Sequence, residues 1–419
     1  MVGTSLHRTL FLIAAMLVGV FLALPAGACP FCSMQGQTLI GDVNQASMVL
    51  YGTFSNAKPG AGDDLGGGTT DLKIDAIIKK HDIVGKQTTI TLPRYMPDQN
   101  KNTKWLVFCD VYKGKIDPYR GVPVAADSDM VKYLKGALEV KDKDIAGRLR
   151  FYFDYLDNKE TEISNDAYKE FGNADYKDYR DMAKSLPADK IAKWLEDPNT
   201  PAFRYGLYAS MLAHCGTAKH GELLRKMLED PQKRVSTGVD GVLAGYTMLQ
   251  PKEGWEYTRS ILKDPAKEFM LRYAALRAAR FFWDSRPDII PQKELVAGVQ
   301  LLLDQSDIAD LAIEDLRKWN RWEMCDKVLE LQDKKSHDVP IIRRAILRYA
   351  LSCPKQEAAA YVNQCRKRDP EMVKDTEELL KLEAPAPAPK QDTVSQPVKP
   401  ASAPKSATVS SGANSRKGP

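Results

Sequence analysis

One phrase recurs through the second half of this 419-residue chain and restricts what it can fold into. It reads Trp194-Leu195-Glu196-Asp197-Pro198, then Met227-Leu228-Glu229-Asp230-Pro231, then Ile261-Leu262-Lys263-Asp264-Pro265. The Asp-Pro pairs are 33 and 34 residues apart. Each follows a leucine-bearing helical segment and precedes a run rich in Ala, Leu, Tyr or Arg. A unit of this size cannot bury its apolar face alone, so a recurrence at this period predicts helical units stacked on one another. Looser copies turn near Leu156, Leu195, Leu228, Leu262, Leu303 and Leu331, with unit length drifting between about 30 and 40 residues.

The turn chemistry follows from the two residues. Proline ends one helix and suits the first position of the next, and the aspartate before it can cap the free N–H groups there. Asp197, Pro198, Asp230, Pro231, Asp264 and Pro265 are therefore the expected turn residues. Arg204, Arg272 and Arg343 recur near the turns. Two readings stand for them: pairing with turn aspartates of a neighbouring unit, or ordinary solvated arginines.

A chain this long exceeds one ordinary core, so at least two folding units are expected. The net charge of +5 is unevenly distributed. From Ala384 the tail carries Lys390, Lys399, Lys405, Arg416 and Lys417 against Asp392, and Arg8 stands near the N-terminus. The body between is neutral, which offers no field for nucleic acid. The tail opens on alternating Ala and Pro and has no apolar period. Such a segment cannot offset its ordering entropy and is expected to be disordered. Contact with an anionic cell-wall polymer is one use of its charge, and solubility is the other.

Residues 1–28 read as a secretory signal: His7 and Arg8, an apolar stretch from Leu10 to Leu24, then Ala26-Gly27-Ala28. The apolar run of about 15 residues is short of the ~20 that span a bilayer. Cleavage between Ala28 and Cys29 places the mature protein outside the cytoplasm: periplasmic, extracellular or envelope-associated, without a transmembrane span. Lipidation of Cys29 is the lesser option, because Ala26 stands where lipoproteins carry a large aliphatic residue. An oxidising compartment permits disulfides. Cys29, Cys32, Cys109, Cys325, Cys353 and Cys365 are the candidates, and Cys215, in an apolar run, reads as a buried thiol. Cys109 is the one distant partner open to Cys29 or Cys32. Cys325 pairs with Cys353 or Cys365, since a helix between Cys353 and Cys365 would hold those two apart by ~16–18 Å.

From Cys29 to about Val124 apolar residues alternate or form short runs, which predicts strands. Ser47–Phe54, Asp71–Ile78, Thr88–Leu92 and Trp105–Tyr112 are assigned, with a glycine-rich hairpin loop from Lys58 to Gly68. That loop lacks the Gly-Lys-Ser/Thr ending and following helix of a phosphate-binding loop. Ser128 caps an amphipathic helix, and the helical period holds from Arg148 onward. The expected fold is a two-domain α+β chain: a β domain over 29–127, helical repeats over 128–383, and the tail over 384–419.

Catalytic constellations are missing from the pattern. His81, His214, His220 and His337 stand in no metal-ligand spacing. His214 and Cys215 are adjacent on a helix and so do not face each other. No catalytic residue, metal or cofactor is assigned. The sharpest local motif is Cys29-Pro30-Phe31-Cys32. Opening a helix, it would be a redox dithiol with a lowered thiolate pKa. Without the flanking strand and helix of such enzymes, it reads instead as a disulfide tether for the N-terminal segment.

The cysteine motif, Gln45–Phe54, Leu72–Lys80 and Lys104–Cys109 together resemble the OB-type barrels of the tissue inhibitors of metalloproteinases and the netrin module. The resemblance covers about residues 29–124 and implies a small antiparallel β-barrel. Those inhibitors chelate zinc through Cys-x-Cys, whereas this chain has Cys-Pro-Phe-Cys. Residues from about 145 to 382 resemble HEAT-like repeats through Leu-x-Asp-Pro…Arg…Ala…Leu at Leu195–Leu212, which implies an all-α solenoid that binds proteins. The layout is similar to that of uncharacterised secreted bacterial proteins. The expectation is a non-enzymatic envelope scaffold with a protein partner. The alternative is a thiol or metal function, redox or metalloprotease-inhibitor-like, centred on Cys29-Pro30-Phe31-Cys32. Intact-mass and N-terminal peptide analysis of the exported protein should find Cys29 as its first residue; retention of Leu10–Leu24 would refute the leader assignment.

Overall fold

The computed structural model describes residues 29–60, 67–96, 103–234 and 236–383. The expected leader and Ala28–Cys29 cleavage site, most of the glycine-rich loop, and the segment from 384 to 419 lie outside the described residues. Among the described residues no helix is long and apolar enough to cross a membrane.

Five strands form one antiparallel sheet: β1 (Met48–Pro59), β2 (Gly68–Lys79), β3 (Thr89–Leu92), β4 (Lys104–Tyr112) and β5 (Lys115–Val124). Their order is β3-β2-β1-β4-β5. Period two divides their side chains between two cores. Met48, Leu50, Leu72, Ile90, Leu92, Val107 and Cys109 form a small core of the sheet's own. Val49, Tyr51, Leu106 and Phe108 face the other way and join the main core shared with the helices. The expected barrel is an open sheet. Leu92 of β3 and Tyr119 of β5 line one recess of about 90 Å³, so the edges approach, but no ladder joins them. β5 was unassigned in the sequence because Pro118, Gly121 and Pro123 interrupt its alternation. It is an edge strand, where a missing donor is tolerated.

A short helix, α1 (Leu39–Gln45), precedes the sheet, with the Thr38 side chain accepting from Gly41 N. After the sheet come α2 (Met130–Glu139), α3 (Ile145–Phe153), α4 (Thr161–Gly172), α5 (Tyr176–Ala183) and α6 (Ala188–Glu196). Next are α7 (Tyr205–Cys215), α8 (Ala218–Glu229), α9 (Val239–Leu249), α10 (Pro251–Lys263) and α11 (Phe269–Ser285). The chain ends with α12 (Gln292–Val299), α13 (Ala309–Lys318), α14 (Cys325–Leu329), α15 (Pro340–Ser352), α16 (Gln356–Arg368) and α17 (Pro370–Glu383). They form a solenoid-like array of paired helices. α7 and α9 are buried over most of their length, as helices apolar all round must be. A Cβ on Gly241 would lie 2.5 Å from Gly206 Cα, so glycine is required where α7 and α9 meet. The row is curved. Tyr176 of α5 meets Phe281 of α11 with ring centroids 5.0 Å apart, although α7 and α9 lie between them in the chain.

The Asp-Pro residues end helices, but they do not start the next ones as expected. Asp197, Asp230 and Asp264 are the C-caps of α6, α8 and α10, all in extended conformation. Proline forces that on the residue before it by excluding the α region. Each carboxylate then accepts from the backbone two residues on: Asn199 N and Gln232 N at 2.8 Å, and Ala266 N at 2.9 Å. Pro198, Pro231 and Pro265 fall inside these Asx turns, and the following helices begin later.

The arginines follow neither reading uniformly. Arg204 is buried, donating to Leu156 O, Ser164 Oγ and Asn165 Oδ1. Arg272 is buried and reaches into the next unit, to Gln305 Oε1 at 2.8 Å and Asp307 Oδ1 at 2.9 Å. Arg343 pairs with Asp338 of its own turn at 2.6 Å. The join from α11 to α13 is closed by Trp283 stacked on Trp319 at 4.2 Å and by Arg280 Nε, 2.8 Å from both Asp315 oxygens.

Burial pushes the Asp315 carboxyl up to about 6 against the pull of Arg280 and Lys318. The folded protein therefore holds this proton more tightly than the unfolded chain, and Asp315 contributes stability that is lost as pH rises from about 4 through 6. Thermal melts of wild type and Asp315→Asn should show the wild-type advantage shrinking across that window. A constant difference would contradict the assignment.

Candidate functional site

The feature that brings distant residues together is the N-terminal stretch ahead of α1. Residues 29–39 do not join the sheet; they run across α11, α7 and α4, with α9 reached only through the Arg277–Asp240 pair. Cys29 and Cys32 are bonded to each other with Sγ–Sγ at 2.04 Å, closing a turn in which Cys32 N donates to Cys29 O at 3.3 Å. Between Pro30 and Gln37 only Phe31 is a buried side chain, and its ring lies 4.6 Å from that of Phe281.

Cys29 and Thr38 are buried at the two ends of the stretch, Cys32, Met34 and Leu39 pack partly buried against the core, and the hydrogen bonds along the stretch are made by its backbone. Arg277 Nη2 donates to Pro30 O at 3.1 Å. Ser33 N donates to the Tyr168 hydroxyl at 3.3 Å, and that hydroxyl donates in turn to Phe203 O at 2.9 Å. Asn173 takes both polar groups of Gly36, accepting from its N and donating to its O, each at 2.8 Å. Lys169 Nζ reaches Gln37 O at 3.4 Å, and Leu39 N donates to Asp166. Asp166, Lys169 and Asn173 are three and four residues apart, the spacing that aligns side chains along one edge of α4. Two glycines let the backbone come this close. A Cβ on Gly172 would stand 2.1 Å from Met34 O, and one on Gly206 would stand 2.7 Å from Phe31 O.

Charge in the groove is buried and partly compensated. Asp240 of α9 is 5% exposed, and its Oδ2 lies 2.9 Å from Arg277 Nη2 at an angle outside hydrogen-bonding geometry. Burial raises its pKa, and Arg277 opposes the rise. Asp166 is raised for the same first cause, opposed by its bonds from Leu39 N and Tyr133 Oη. Past Pro30 the groove continues into a recess of about 140 Å³, lined by Arg234, Asp240, Met270, Tyr273 and Arg277 among others.

The cysteine assignments divide on this geometry. Cys109 does not tether Cys29 or Cys32. It lies in the small core on one side of the sheet, whereas both of those belong with the main core on the other. Burial pushes its thiol up to about 12. The Cys29-Pro30-Phe31-Cys32 motif is a turn and does not open a helix, so no helix N-terminus favours its thiolates. Cys325 and Cys353 lie beside each other as buried thiols; burial, then the Cys353 thiol, raises the Cys325 pKa. Cys365 is a buried thiol on α16, 3.8 Å from Arg368 Nη2.

The histidines have structural partners. His81 Nδ1 accepts from Ile83 N, and His220 Nδ1 from Thr217 N. His337 Nε2 donates to Leu303 O at 2.8 Å. His214 meets the Tyr176 hydroxyl at 2.9 Å, and burial with nearby Arg286 and Arg180 lowers it to about 4. Cys215 Sγ donates to Met211 O, and burial raises it to about 11, so the two make no nucleophile pair. Among the described residues no group of three or more His, Cys, Asp or Glu side chains is placed to hold a metal.

Against known families, curated proteins and solved structures, the chain has no match. The groove itself was missed in the sequence reading. Its partners are separated by 127 to 247 residues, and its one local sign was the Phe between the two cysteines.

Gly172→Ala isolates the close contact, because alanine is otherwise the better helix former by ~1 kcal/mol. The clash with Met34 O should outweigh that and destabilise by about 1–3 kcal/mol. Chymotrypsin, followed by mass spectrometry, should then cut between Phe31 and Leu39 faster than in wild type. Unchanged cutting and stability would refute the contact.

Proposed function

We propose that this chain is a non-enzymatic, secreted or envelope-associated scaffold whose helical array binds another protein. The observation that carries the reading is the groove: helix side chains hold an extended stretch of polypeptide through six of its backbone groups and one aromatic anchor. Main-chain bonding with a single side-chain pocket is the physics of peptide recognition. On this reading the array is a HEAT-like solenoid, supported by its recurring Asx turns and paired helices. The sheet is an OB-like module opened between β3 and β5. The leader motif supports export, and the basic tail supplies a second contact with anionic wall polymer.

Met270 is 60% exposed at the open end of the groove, which makes it the position to probe. With a photo-crosslinking residue there, the full chain, tested both oxidised and dithiothreitol-reduced, should capture a discrete protein from cell-envelope extract in at least one of the two states. Arg277→Ala in the same background should reduce the yield at least tenfold. Crosslinking that is absent, or indifferent to Arg277, would overturn the reading.

A further inference from the structure

Residues 29–39 meet the array as a ligand meets a receptor. Their hydrogen bonds to α4 and α11 are made by main chain. Phe31 is the one buried side chain between Pro30 and Gln37, Cys29 and Thr38 are buried at the two ends, and Cys32, Met34 and Leu39 pack partly buried against the helices. An extended segment with an aromatic residue at the same spacing, and small side chains where Cys29 and Thr38 are buried, satisfies the same donors and acceptors. What is particular to this occupant is the four-residue ring closed by Cys29–Cys32, which holds Pro30 and Phe31 in the turn that Arg277 and Phe281 engage. A pre-shaped segment binds with less ordering cost, so opening the ring weakens it.

We infer that the groove on α4, α7, α9 and α11 is a receptor for an extended peptide bearing one aromatic anchor, that residues 29–39 fill it in cis, and that reduction of Cys29–Cys32 vacates it for such a segment of a partner protein. The inference rests on the reading of the array as the binding element. The groove is longer than its occupant: Arg277 contacts Pro30 O and also lines the adjoining recess with Arg234 and Tyr273, where a partner's flanking residues gain contacts.

The redox step is an exchange with a dithiol reductant. Cys32 is partly exposed, whereas Cys29 is 3% exposed, so the attacking thiolate reaches Cys32 Sγ. The Cys29–Cys32 bond breaks as a mixed disulfide forms, and Cys29 leaves as a thiolate that takes a proton. The second thiol of the reductant displaces Cys32, which is also protonated, and the reductant ends as its own disulfide. Two electrons and two protons pass to the protein.

The probe is a fluorescent peptide with the sequence of residues 29–41, its disulfide replaced by a thioether that dithiothreitol leaves intact. Anisotropy should show at least tenfold tighter binding to the dithiothreitol-reduced full chain, and to Cys29→Ser/Cys32→Ser, than to the oxidised chain. A full chain carrying Phe31→Ala, with its disulfide intact but its anchor gone, should bind the peptide while oxidised. The peptide carrying the same Phe31→Ala change should bind none of them. Failure of both variants to take up the peptide, with circular dichroism showing them folded, overturns the receptor. Equal binding by oxidised and reduced wild type overturns the redox control. Either failure leaves the Met270 crosslink standing or falling by its own result, which separates this inference from the broader scaffold reading.

Discussion

The close approach of residues 29–39 to the helices is the constraint on which the arrangement of the two halves depends. It is set by two hydrogen atoms. Where any other residue would carry Cβ, Gly172 and Gly206 leave room for the carbonyls of Met34 and Phe31 to lie against α4 and α7. That proximity brings Arg277, Tyr168 and Asn173 within bonding distance of main chain. The stretch then hands the chain to α1, where Asp166 takes Leu39 N, Arg120 of β5 pairs with Asp42, and Lys79 of β2 donates to Asn44 and Ala46 carbonyls. The sheet is thus attached to the array through a short helix whose own start is bonded to α4.

Burial explains why these polar contacts matter beyond their number. Asp166 and Asp240 are each 5% exposed, and for both the largest influence on the pKa is desolvation. A buried carboxylate is costly unless its lone pairs are taken up. Asp166 is supplied by Leu39 N and Tyr133 Oη, so removing the N-terminal stretch would strand one of its oxygens. Asp240 depends on Arg277, which also holds Pro30 O. The occupant and the buried charges of the groove therefore support one another. A replacement segment must offer a backbone donor near Asp166 and a carbonyl near Arg277.

What was readable in the sequence was local. Period two points to four of the five strands and the 3.6-residue period to helix from Arg148 onward, because a side chain's neighbours one turn or one residue pair away decide those patterns. At the Asp-Pro pairs the aspartates are C-caps of the preceding helices and do not cap the next ones. The restriction that proline places on Asp197, Asp230 and Asp264 turned out to govern the backbone, with the carboxylates bonding two residues forward. β5 escaped because prolines tolerated only at an edge mimic a loop. The open sheet escaped for a similar reason: alternation fixes which face a residue takes, not whether two edges meet. The Cys29–Cys32 pairing and the groove depend on contacts more than a hundred residues apart in sequence, which no window of local pattern contains.

The distribution of thiols adds a last step. Five cysteines among the described residues are free, four of them buried, and where their pKa is displaced it is upward, which keeps them protonated and poor nucleophiles. Cys29–Cys32 is the one pair that forms a bond, and it sits where the array meets its occupant. A bond placed only to anchor the stretch would join it to something distant, such as Cys109. This one joins the stretch to itself. It shapes the residues that dock without fastening them to the array, so the anchoring falls on the buried Cys29, Phe31 and Thr38 side chains, the glycines and the side chains of α4 and α11, all of which are reversible contacts.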